Sequence, residues 1–375
     1  SMADARVVNL AKILVQYSTK VRPKDVVAIY HQPAGMPLVR EIYREVIRAG
    51  AYPYVLLGLL RSRVEVEDLA YILFTEGNED QLQRVHRFEK IVRSEFDVMI
   101  NIDSSSNTRV LSNVDPAKQS LRSRAHAELT KIFMQRSASK DLRWVISLFP
   151  TEAYAQDADM NLSEFEDFVY GTTFADQDDP VAAWQAVHDE QQRLVDWLAG
   201  KRSVEVRGPN VELKLSIDGR KFINSDGTYN MPSGEIFTGP VEDSLDGWIR
   251  FTYPAIYSGR EVAGVELHFE AGKVVKASAK KNEEFLLRML ETDAGAKYVG
   301  EFAMGTNKRI NRFIKNILFD EKIGGTIHMA LGAGYPETGS SNESAIHWDM
   351  ICEMRDGGEI IVDGELFYRS GEFQI

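Results

Sequence analysis

Residues 26–50 read VVAIYHQPAGMPLVREIYREVIRAG, and the architecture turns on this stretch. Val26 to Tyr30 is a short apolar run bounded by turn residues, which is the texture of a buried strand. Met36 to Ala49 then places Leu38, Ile42, Val46 and Ile47 on one helical face, and Gly50 stops the helix. The same alternation continues outward. Upstream, Ala5 to Lys20 carries Val8, Ala11, Leu14 and Tyr17 at helical spacing and ends at the breaker Val21-Arg22-Pro23-Lys24-Asp25. Downstream, Tyr54 to Leu60, Val98 to Ile102 and Arg143 to Phe149 are further strand-sized runs, with a long helical pattern from Ala117 to Ser137 before the last of them. Strands alternating with helices predict a parallel sheet covered by helices, an N-terminal α/β domain.

The texture changes near Gly200. Ser163 to Ala199 reads as helix with Trp184 and Trp197 as aromatic anchors. From Ser203 to Ile217 apolar and polar residues alternate, and Trp248 to Tyr253, Glu261 to Phe269 and Lys273 to Ala279 repeat the pattern. Asp218-Gly219 and Ala271-Gly272 sit at hairpin-turn positions, and Glu283 to Leu290 is helical. The expected organisation is therefore an α/β domain over 1–200, followed over 201–375 by an α+β domain rich in antiparallel strands.

The 375 residues carry 44 Lys and Arg against 56 Asp and Glu, a net charge of −12. Such a surface repels nucleic acid and anionic membranes, so neither is expected as a partner. The apolar runs fall far short of the roughly 20 residues of a membrane span. No positively charged leader with an apolar core precedes the first helix, and Cys352 is the single cysteine, which excludes an intrachain disulfide and disfavours a thiolate zinc site. A cytoplasmic, reducing setting is expected.

A parallel sheet often binds nucleotide at its strand ends, but the first strand runs into His31-Gln32-Pro33-Ala34-Gly35, neither a dinucleotide fingerprint nor a phosphate loop. Gly332-Ala333-Gly334 begins like a fingerprint and then has Glu337 where the third glycine belongs. The first domain reads as scaffold or lid. The chemistry-bearing residues lie after residue 230. In Ile346-His347-Trp348-Asp349-Met350 a strand would project His347 and Asp349 to one face and Ile346, Trp348 and Met350 to the other. His328 is a lone polar residue in the apolar run Thr326 to Leu331, and Glu235 and Glu301 each follow a glycine among apolar neighbours. Each has a bland reading of its own: a surface His–Asp bond, a satisfied core histidine, two ion-paired acids. Together they are mixed oxygen and nitrogen donors drawn from separate segments of one domain. The three carboxylates carry −3, and a bridging hydroxide brings that to −4, the charge that neutralises two divalent cations. The count favours a two-metal hydrolytic centre with ions roughly 3.5–4 Å apart.

At these residues the sequence resembles the aminopeptidase T family of metalloaminopeptidases, which includes aminopeptidase S. The pieces are Asn230-Met231-Pro232-Ser233-Gly234-Glu235-Ile236-Phe237-Thr238, Gly300-Glu301-Phe302-Ala303, His328-Met329-Ala330-Leu331-Gly332 with Tyr335, and His347-Trp348-Asp349. The N-terminal half resembles the family more loosely, in Pro37-Leu38-Val39-Arg40 and Leu148-Phe149-Pro150-Thr151. The resemblance implies metal ligands at Glu235, Glu301, His328, His347 and Asp349, with Tyr335 at the site as ligand or oxyanion donor. It implies release of N-terminal amino acids from peptides with a free N-terminus, a homodimer, and an enclosed chamber to whose walls the first domain contributes. Metal-activated water would attack the peptide bond, with Glu301 as first choice for the general base and Glu235 as its rival. Two ions of zinc, cobalt or manganese suit this donor set. Two other readings stay open: a metal-dependent amidohydrolase or esterase acting on a small molecule, and a non-catalytic binding protein whose metal site is structural.

Overall fold

The computed structural model describes residues 3–58 and 67–375. Residues up to Gln185 together with Gly227–Pro232 form one compact unit, and Ala186–Asp226 with Ser233–Ile375 form a second. The protein is a mixed α/β chain, as its sequence pattern implies.

In the first unit, β1 (Val26–His31), β2 (Tyr52–Leu57), β3 (Val98–Asp103) and β4 (Arg143–Leu148) pair in parallel in the order β2-β1-β3-β4. The central strands are largely apolar on both faces and buried at all but one residue each, as a helix-covered parallel sheet demands. The helix Met36–Arg48 buries Leu38, Val39, Ile42 and Val46, whereas Ile47 is exposed, so the inward face lies one residue away from the expected one. β2 is an edge strand whose Tyr52, Tyr54 and Leu57 are exposed, and Leu59 and Leu60, expected to extend it, lie outside the described residues. The order of strands reverses between β1 and β3, the crevice where open α/β sheets take their ligands. Here that crevice holds the Glu67 carboxylate. It accepts hydrogen bonds from the Ser105 hydroxyl, the Ser106 N–H at 2.8 Å and Gln32 Nε2 at 3.2 Å.

The long helical patterns are interrupted. Ala117 to Ser137 is two helices, Pro116–Ala125 and Ala127–Ala138, which meet at His126. Ser163 to Ala199 is Leu162–Thr172 and Pro180–Leu198: Phe174, at positive φ, follows the end of the first helix, and Pro180 opens the second. Among the described residues, no helix is long and apolar enough to cross a membrane.

The second unit contains an eight-stranded antiparallel sheet and a five-stranded antiparallel sheet that share one apolar core. The alternating segments 203–217 and 246–278 supply five strands of the larger sheet, and Glu359–Val362, Glu365–Arg369 and Glu372–Phe373 supply the other three. Ala271-Gly272 closes a hairpin with both residues at positive φ. Asp218-Gly219 also makes a turn, with Arg220 N–H on Ile217 O at 2.9 Å, but it closes no hairpin: the strand before it belongs to the larger sheet and the strand after it, Ile223–Ser225, to the smaller.

Candidate metal centre

The five-stranded sheet runs in the order His347–Glu353, Thr326–Gly332, Val299–Gly305, Glu235–Thr238, Ile223–Ser225. Its register puts every expected donor on one face. Ala303 opposes His328, which opposes Ile351; Glu301 opposes Ala330, which opposes Asp349; Gly332 opposes His347, and Gly305 opposes Glu235. Directly opposed residues share a face, so Glu235, Glu301, His328, His347 and Asp349 project together. Between them lie Ala303, Gly305, Ala330 and Gly332, whose small side chains leave room above the sheet. The alternate residues Ile236, Phe302, Met304, Ile327, Met329, Leu331, Trp348 and Met350 point the other way, into the apolar core.

A bulge makes this face possible. Val299 opposes Leu331 and Glu301 opposes Ala330, so Gly300 is an extra residue in its strand. In a regular strand Val299 and Glu301, two residues apart, would share a face; the bulge sends Val299 into the core and leaves Glu301 with the donors. A Cβ at Gly300 would lie 2.3 Å from Gly332 O and 2.4 Å from Ala333 O, so only glycine fits.

The donors converge. His328 Nε2 is 3.7 Å from Glu235 Oε2 and 3.8 Å from Glu301 Oε2; His347 Nε2 is 3.4 Å from Glu301 Oε2 and 3.5 Å from Asp349 Oδ1. His347 Nδ1 faces Ala333 O at 2.8 Å, which orients the ring with Nε2 toward the acids. His328 is fully buried and neither ring nitrogen has a hydrogen-bond partner; Glu235 Oε2 and Asp349 Oδ1 are buried and equally unpartnered. Buried polar atoms are normally satisfied, so these orphaned atoms mark a place built for something else. Tyr335 stands beside it, its ring centroid 5.2 Å from that of His347 and 5.5 Å from that of Phe237.

Glu321, which sequence reasoning missed, is part of this place. One ligand atom from each of Glu235, Glu321 and His328 falls within 4.8 Å of the others, and the same holds for Glu301, His328 and Asp349. The two groups overlap at His328. Glu321 follows the short helix Ile317–Asp320, and the fully buried Lys322 Nζ lies 2.8 Å from Glu321 Oε1 and donates to Leu318 O at 2.7 Å. In sequence Asp320-Glu321-Lys322 reads as a solvated charged turn; no periodicity or glycine context sets it apart.

The electrostatics agree with an anionic cage. Burial, then the charge of Glu321, pushes the Glu235 carboxyl well above its ordinary value, and burial raises Glu301. Burial would lower the His347 imidazole, but the charge of Asp349, with help from Glu301, lifts it to about 12. Carboxylates that take up protons and an imidazole that keeps one are what such a cage does when no cation shares it. Hard oxygen donors, imidazoles and orphaned buried atoms fit a divalent metal site.

A family model described as thermophilic metalloprotease (M29) matches residues 3–373. The chain is 27% identical to Aminopeptidase 2 of Geobacillus stearothermophilus, over 97% of this chain and 96% of that one. It is 28% identical to Aminopeptidase T of Thermus thermophilus, over 70% and 71%. Among solved structures, wild-type AmpT from Thermus thermophilus matches with a TM-score of 0.84 at 22% identity, covering 99% of each chain. A 2,5-dihydroxypyridine dioxygenase from Pseudomonas putida matches with a TM-score of 0.57 at 14% identity, over 100% and 98%. One fold thus carries differently named chemistries, and the donor set has to decide between them.

Proposed function

Since this chain belongs to the thermophilic metalloprotease family M29, we infer that it is a metal-dependent aminopeptidase whose catalytic centre is the acid–imidazole face of the five-stranded sheet. The observation that carries this reading is His328: fully buried, unpartnered at both nitrogens, and set between Glu235 and Glu301. Glu235, Glu301, Glu321, His328, His347 and Asp349 would hold two divalent ions, of zinc, cobalt or manganese. When bound, such ions polarise the scissile carbonyl and lower the pKa of water. The chain supplies the rest. Glu301 accepts the proton of the attacking water and returns it to the departing amine. Tyr335 donates its hydroxyl hydrogen to the oxygen that gains negative charge. Burial, then the charges of Glu301, Asp349, Glu321 and Glu235, pushes that phenol well above its ordinary value.

In this reading the second unit is catalytic and the first is its scaffold. The resemblance supports a homodimer acting on peptides with a free N-terminus, and the single buried Cys352 suits a reducing cytoplasm. Hydrolysis of leucyl-alanine beside N-acetyl-leucyl-alanine, with cobalt or zinc and again after a chelator, tests it. Cleavage of the free dipeptide alone, lost with chelator and restored by metal, is expected. Cleavage of both would make the protein a general amidohydrolase. Cleavage of neither, with metal bound, would make the site structural.

A further inference from the structure

Tyr335 opens an irregular segment that runs to Ala345, directly before the His347 strand. Loops rarely hold a catalytic group to within half an ångström unless something outside them does the holding. Here the segment is anchored at three levels. At its base, Gly334 N–H donates to Asn342 O at 3.1 Å, and Asn342 Nδ2 donates to Gly332 O at 2.6 Å. Behind the tyrosine, Thr338 donates to Tyr335 O twice, from N–H at 3.0 Å and from Oγ1 at 2.7 Å, while Lys221 N–H donates to Thr338 O at 3.0 Å. At the far turn stands Glu242. Its Oε1 accepts the Ser341 N–H at 2.7 Å and the Ser341 hydroxyl at 3.1 Å; its Oε2 accepts Arg220 Nη2 at 2.6 Å, with Nη1 on Oε1 at 3.3 Å. The two side chains are only 11% and 22% exposed, so the fork is largely shielded from water. Space is as tight as the bonding: a Cβ at Gly334 would lie 1.9 Å from Ser340 Oγ.

We propose that the Arg220–Glu242 pair is a positioning device for the reaction: through Ser341 and Thr338 it fixes the backbone of Tyr335, and hence where the phenol hydroxyl stands. Neither residue belongs to the donor face, and neither needs to touch substrate. The proposal rests on the reading of Tyr335 as a catalytic group. Misplacing such a group by about 1 Å costs on the order of a hundredfold in rate.

A double-mutant cycle on the metal-loaded enzyme separates the two claims. Glu242→Gln should lower kcat on leucyl-alanine by about tenfold to a hundredfold, with KM within about twofold and metal content per chain unchanged. In a Tyr335→Phe background the same change should cost less than about twofold, because its target is already gone. Arg220→Gln, run through the same cycle, gives the answer if Glu242→Gln folds poorly. Equal losses in both backgrounds would overturn the proposal and leave Tyr335 in its role. Wild-type kcat in Tyr335→Phe alone would remove both the role and the device. A rise in KM at constant kcat would place the pair in substrate binding and overturn positioning.

Discussion

Glu321 changes the charge arithmetic of the centre without changing its sum. Glu235, Glu301 and Asp349 contribute −3; Glu321 adds one negative charge and the buried Lys322 beside it one positive. The count read from sequence, three carboxylates and a bridging hydroxide against two proposed divalent ions, therefore survives only because the two omitted residues cancel. If Glu321 completes the group around Glu235 and His328, Glu321→Ala should drop the metal content from about two ions per chain toward one, and His347→Ala should deplete the other; both are measured by elemental analysis after dialysis. Unchanged content in Glu321→Ala would return it to a structural pair with Lys322. His347 and Asp349 were legible because a strand's two-residue period states their shared face outright. Glu235, Glu301 and His328 stood out as polar residues among apolar neighbours, and the role of Tyr335 came through resemblance to a family. Glu321 was not legible: an acid in a charged turn looks solvated until the fold turns the short helix before it toward the sheet.

At the scale of the element, strands were easier to read than helices. Alternation specifies which side of a strand is buried, and Val204, Val206, Leu213, Leu215 and Leu267 all enter the core. Helical periodicity persists across a break, so the interruptions at His126 and before Pro180 were invisible to spacing. The destination of a turn is invisible too: Asp218-Gly219 has hairpin chemistry, yet the strand after it joins a different sheet. The Gly300 bulge belongs to the same class, since one extra residue is defined only against a partner strand. It nevertheless controls the face on which Glu301 lies. Gly300→Ala should destabilise the protein by about 1–3 kcal/mol in urea denaturation, because carbonyl oxygens that must move for the new methyl group belong to the sheet's own neighbours. It should also lower activity more than a core substitution of equal cost. Equal activity losses at equal destabilisation would show that the bulge merely accommodates the strand.

On the scale of the whole molecule, the donors come from several strands of one sheet and from the segment before one of them, all in the second unit. Metal binding and the folding of that unit are then linked, and ions at a hundredfold excess over Kd stabilise it by about 2.7 kcal/mol. Calorimetry should show a transition that chelator moves down in temperature. The displacement should shrink as pH falls, because the cage holds His347 protonated and the ion it binds must expel that proton. A melting profile indifferent to chelator would mean the cage folds without needing its cations. The first unit was legible as a parallel sheet with helices, whereas the Glu67 carboxylate in its crevice was not. That carboxylate is tethered beside the hydroxyls of Ser105 and Ser106 and the N–H of Ser106, where its effective concentration is of the millimolar order typical of short linkages. A free phosphate or nucleotide would have to outcompete a group that never diffuses away, so the crevice has lost its vacancy to the chain's own anion.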